Sequence, residues 1–153
     1  MKQVNATVVQ GHAVASGRSR IDRRFPEGTI GLQLPLFKSR GVDVVELLGG
    51  NAFVGTLNLT IAPHVWHIAQ PEYHLQGIKW TPIFAPENFY LSMAAIVFKD
   101  RQFRAILYMP DPATKPDHFK PADLIEVLAE PIEAIAYGDR VELAYNPTAI
   151  ELS

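Results

Sequence analysis

The residues best suited to chemistry are Thr56 and Asn58, in the stretch Phe53-Val54-Gly55-Thr56-Leu57-Asn58-Leu59-Thr60-Ile61. In a strand, alternate side chains share a face, so the Thr56 hydroxyl and the Asn58 carboxamide point the same way while Leu57, Leu59 and Ile61 point into a core. Neutral oxygens side by side suit a hydrated magnesium ion, which takes oxygen ligands and leaves the remaining charge balance to phosphates. Gly55, just before them, lets a ligand or a second backbone come close. The same residues also suit a plain strand entered through a glycine turn, with Thr and Asn bonding backbone groups.

Three other groups carry possible chemistry. Arg18, Arg20, Arg23 and Arg24 fall within seven residues, with Asp22 the one acid among them. Guanidinium forks match phosphate oxygens in pairs, so the cluster suits a phosphate clamp as well as it suits a solvated loop. His64 and His67 stand three apart with His74 beyond them, a spacing that raises zinc. No acidic ligand keeps step with them and Pro63 and Pro71 interrupt any helix, which favours surface or partly buried histidines. Asp123 and Glu126, also three apart, would share one face of a helix.

The elements that must hold these groups are mostly strands. Val4 to Val14 reads as a strand through Val8 and Val9, and Thr29 to Leu36 as a second, with Ile30, Leu32 and Leu34 on one side and Pro35 at its end or edge. Phe37 to Leu48 reads as a short helix stopped by Gly49-Gly50. Phe89 to Phe98 and Phe103 to Met109 form a hairpin with the charged turn Lys99-Asp100-Arg101-Gln102. Ala122 to Ala129 is helical in pattern after Pro121, and Gly138-Asp139 turns into a last strand, Arg140 to Tyr145. About six strands, one or two short helices and no regular βαβ alternation imply a mainly β chain, folded as a closed or nearly closed barrel.

At 153 residues the chain has the size of one domain, spanning 1–153, with enough length to bury a sizeable core. It has no cysteine, so disulfides, thiolate metal sites and cysteine nucleophiles are excluded. A formal net charge of -2 argues against a nucleic-acid coat, leaving only a local contact through Arg18 to Arg24. Met1 to Asn5 lacks the apolar core of a signal peptide and no apolar run approaches a membrane span, so a cytoplasmic protein with no membrane partner is expected.

Taken in order, these segments resemble the CTP-dependent riboflavin kinases of archaea, a family built on a cradle-loop β-barrel. The resemblance runs through Gly11 with Ser16-Gly17, Pro26-Glu27-Gly28, Leu47-Leu48-Gly49, Gly55-Thr56-Leu57-Asn58-Leu59, Ala105-Ile106 with Met109-Pro110, Asp123 to Ala129, and Gly138-Asp139-Arg140-Val141. It implies transfer of the γ-phosphoryl group of CTP to the ribityl hydroxyl of riboflavin, giving FMN. In family terms Thr56 and Asn58 ligate Mg2+, and Ser16, Gly17, Glu27 and Gly28 cradle the nucleotide, joined here by Arg18 and Gly55. Glu126 is the residue expected to act as base on the acceptor hydroxyl. Like the family, the chain has no Walker loop. It departs from the family in the extra Arg18 to Phe25 and in Pro26, which has no N–H to give a phosphate. A binding relative without turnover, or a kinase for another small-molecule acceptor, is the alternative.

Overall fold

The computed structural model describes residues 1–10, 28–115 and 120–153. Among these described residues, nine strands and two helices follow one another as β1 (Lys2–Val9), α1 (Thr29–Ser39), α2 (Val44–Leu47), β2 (Leu57–Thr60), β3 (Trp66–Ile68), β4 (Tyr73–Ile78), β5 (Glu87–Phe98), β6 (Arg101–Pro110), β7 (Leu124–Ala129), β8 (Arg140–Tyr145) and β9 (Ile150–Leu152). Six of them, in the order β5-β6-β7-β2-β1-β8, pair antiparallel and close on themselves through β5 and β8. The expected mainly β barrel of about six strands with one or two short helices is therefore the observed fold, with two helices among the described residues. Among the described residues, no helix is long and apolar enough to cross a membrane.

Closure depends on the length of β5. Its first part, Glu87 to Leu91, pairs with β4. Its later residues Ala94 to Val97 pair with β8 and close the ring. Strand alternation then sends side chains to two separate cores. Inward-pointing Leu59, Ile96, Leu107, Val127 and Leu143 fill the barrel, each with no exposed surface. Burying a side chain of this size contributes roughly 1.5–3 kcal/mol. The second core lies outside the barrel, where Ile30, Phe37, Val44 and Leu48 cover Phe89, Leu91, Ile106 and Leu128. It gives α1 and α2 their place against the sheet.

The hairpin of β5 and β6 forms where expected, but its turn is shorter. Phe98 pairs with Arg101, so the loop is Lys99-Asp100 alone. Both residues take positive φ, 51° and 61°. That is the backbone of a two-residue type I′ loop, whose twist matches the strands it joins. Arg101 and Gln102 belong to β6.

Two segments change class. Thr29 to Leu36, expected as a strand, is most of α1, and the expected helix from Phe37 to Leu48 is reduced to the end of α1 and the single turn α2. A short apolar stretch satisfies both periods: Ile30, Leu32 and Leu34 alternate, while Ile30, Gln33 and Phe37 fall on one helical face. The second set is the one buried. A proline inside a helix costs about 3 kcal/mol. Burial of Ile30 and Phe37, at roughly 1.5–3 kcal/mol each, is enough to hold Pro35 there. In the other direction, Leu124 to Ala129 is β7 and not a helix. It sits between β6 and β2 with a core on each side, and a strand buried on both faces loses the alternation that marks strands in sequence.

Candidate functional site

Asn58, Glu126 and Tyr108 stand opposite one another on β2, β7 and β6, Asn58 facing Glu126 and Glu126 facing Tyr108. Their side chains leave the barrel on its outer face, the face that carries the second core, because Leu57, Leu59, Val127 and Leu107 at the alternate positions point inward. Thr56, two residues before Asn58, reaches the same place diagonally. Its hydroxyl donates to Glu126 Oε1 at 3.3 Å. Glu126 and Asp123 do not share a face as helix neighbours would; Asp123 instead accepts from the Thr60 hydroxyl at 2.9 Å.

Lys120, which sequence reasoning missed, completes the group. Its Nζ donates to Glu126 Oε2 at 3.2 Å, and the two side chains are only 18% and 17% exposed. The ammonium also lies over the Trp66 ring, 5.3 Å from its centroid. Trp66 is fixed in turn, because its indole N–H donates to the Leu124 carbonyl at 2.7 Å and its strand β3 pairs with β9. Burial lowers the Lys120 pKa, and the Glu126 carboxylate opposes that shift. A lysine in a proline-rich loop carries no local signal of such a role. The pairing of β7 with β2 is what brings its partner into reach.

Tyr108 and Gln33 form the floor beneath. The Tyr108 hydroxyl donates to Gln33 Oε1 at 2.5 Å, and both side chains are buried. Gln33 thereby ties α1 to the strand next to Glu126. Burial raises the Tyr108 pKa well above 10.0, helped by the charges of Glu126 and Glu87 and opposed by the Gln33 bond. Tyr108→Phe leaves Gln33 without its donor, at an expected cost of about 1–3 kcal/mol near neutral pH. The variant also changes the alkaline response. Above pH 10.0 the unfolded chain releases a phenol proton that the folded protein keeps, so wild-type stability falls as pH rises, by up to about 1.4 kcal/mol per pH unit from this group. Lys120 acts in the opposite sense below 10.5, where the unfolded chain holds a proton that the folded protein gives up first. Urea midpoints measured above pH 10.5 should therefore decline less steeply for Tyr108→Phe than for wild type.

The remaining candidates divide by location. Ser16, Gly17, Arg18 and Glu27, with the other arginines of that segment, lie outside the described residues. Their described flanks meet the site. Val9 pairs with Asn58, and Gly28 opens α1 with φ 86° and no side-chain cap. A Cβ on Gly31, in the first turn of α1, would stand 3.9 Å from Val54 Cγ1, which brings that turn beside the bend entering Gly55 and Thr56. Gly55 itself is buried.

The histidines do not converge. His74 is exposed and stacks on Tyr90, with ring centroids 4.2 Å apart, whereas His67 lies on β3 opposite Glu151. Among the described residues no group of three His, Asp or Glu side chains is placed to hold a metal. The Thr56 and Asn58 oxygens are a different kind of donor set, both neutral. They fit a hard cation that brings its own anionic ligands. The Asn58 carboxamide is available for such a role, since it makes no side-chain hydrogen bond among the described residues. Compared with known proteins, the chain matches no family model, and no curated protein matches it.

Proposed function

We propose that this chain is a phosphotransferase of the riboflavin-kinase type, moving the γ-phosphoryl group of CTP to the ribityl hydroxyl of riboflavin to give FMN. The observation that carries the reading is the convergence of Thr56, Asn58 and Glu126 on one outer face of the barrel, with Glu126 opposite Asn58 and 3.3 Å from the Thr56 hydroxyl. Thr56 and Asn58 would hold Mg2+, which would supply positive charge to offset that of the donor phosphates. Glu126 takes the proton of the acceptor hydroxyl, with Thr56 fixing the direction of its carboxylate. The uncapped N–H groups at the start of α1, next to Gly28, offer donors to the nucleotide phosphates. The low exposure of Glu126 and Lys120 keeps water from competing with the acceptor.

The test is incubation with riboflavin, Mg2+ and each nucleoside triphosphate in turn, followed by chromatographic detection of FMN. FMN formed fastest with CTP is the expected result. No FMN with any donor overturns the proposal. One observation favours binding without turnover, namely that both Glu126 oxygens are already engaged, one by Thr56 and one by Lys120. Thermal stabilisation by CTP or riboflavin with no product would select that reading.

A further inference from the structure

Resting on that reaction, we propose that Lys120 is a second catalytic residue, whose ammonium contacts the non-bridging oxygens of the phosphoryl group in flight.

The geometry is that of a cation held in place with donors to spare. An ammonium has three N–H donors. Among the described residues Lys120 spends one on Glu126 Oε2 and otherwise rests against the face of Trp66, which steadies it without a hydrogen bond to an oxygen. The side chain is four-fifths buried, so few waters are available to the remaining donors. A purely structural ion pair in such a place gains most when the remaining polar valences are also met. Among the described residues they remain open toward a ligand.

The chemistry needs such a group. A carboxylate acting as base beside a triphosphate meets an anion, and like charges at close range repel. Lys120, 3.2 Å from Glu126 Oε2, offsets that repulsion. In the step itself, an acceptor oxygen lone pair forms the new bond to the γ-phosphorus. The bond from phosphorus to the bridging oxygen breaks, and its electron pair leaves with the nucleoside diphosphate. The hydroxyl proton passes to Glu126. Lys120 keeps its three protons and donates to the equatorial oxygens, where negative charge is spread in the transition state. Its place between Glu126 and Trp66 is preset, so little reorganisation is required at the moment of transfer.

The test compares the full chain with Lys120→Met, which keeps an apolar stem over Trp66, and with Lys120→Arg. Loss of one preorganised electrostatic contact lowers kcat by about 10²–10³-fold. The expected pattern is that loss in Lys120→Met, an unchanged KM for riboflavin and partial recovery in Lys120→Arg. Should Lys120→Met not fold, Lys120→Gln removes the charge and keeps an N–H donor on a shorter stem. A folded, uncharged variant with wild-type kcat overturns the inference while FMN synthesis by the wild type stands. If wild type makes no FMN with any donor, the anion contact is read from thermal shift with inorganic tripolyphosphate. A shift in wild type that is lost in Lys120→Met upholds the contact, and equal shifts, or none in wild type, overturn it.

Discussion

Glu126→Gln is expected to slow phosphoryl transfer by about 10²–10⁴-fold, the usual contribution of a positioned general base. The substitution keeps the shape of the side chain and an oxygen able to accept from the Thr56 hydroxyl, now at 3.3 Å from Oε1. It removes the proton acceptor. In the proposed reaction the carboxylate would meet the acceptor hydroxyl and not the flavin ring, so kcat is expected to carry the loss and KM for riboflavin to change little. Lys120 loses its counter-charge in the variant, so the melting temperature must be measured beside the kinetics. A folded Glu126→Gln protein with the wild-type rate would remove Glu126 from the mechanism.

Phe89→Ala carries the largest expected effect on stability, a loss of about 3–5 kcal/mol. Phe89 is fully buried in the outer core, edge-on to Phe37 of α1 with ring centroids 5.1 Å apart and tilted against Tyr108 at 5.8 Å. It is the side chain through which helix, β5 and β6 meet. Removing it opens a cavity beneath α1, on the helix whose Gln33 holds Tyr108 beside Glu126. Leu143→Ala in the barrel interior, at about 2–5 kcal/mol, is the comparison, since Leu143 belongs to the inner core and not to the outer one. Urea midpoints should fall in both. Hydrogen exchange of α1 should accelerate selectively in Phe89→Ala. A cost below about 1 kcal/mol would mean that the outer core closes over the gap and that α1 is held by other contacts.

The contrast between these two cores explains what could be read from the chain alone. Barrel strands with one solvated face announce themselves, as Arg140 to Tyr145 does, where Val141 and Leu143 are buried and Arg140 and Glu142 are exposed. Elements belonging to the outer core do not. Thr29 to Leu36 reads as a strand until Phe37 is seen to be buried with Ile30, and Leu124 to Ala129 reads as a helix until both its faces are seen to be covered. Propensity is a weak prior at such lengths, and tertiary burial decides. The candidate site follows the same division. Thr56 and Asn58 are visible together because alternation is local. Their meeting with Glu126, Lys120 and Tyr108 depends on strand register, which no stretch of sequence displays by itself.

Thr56 and Glu126 are separated by seventy residues of chain, and β5, between them in sequence, closes the ring only with β8, which comes after both. On a ribosome, the oxygens of Thr56 and Asn58 emerge long before the carboxylate that comes to face them. The barrel that fixes their direction cannot close until β8 has emerged as well. The grouping of these side chains is thus a property of the assembled strands. A half-made chain exposes its hydroxyl and amide without the carboxylate that becomes their neighbour.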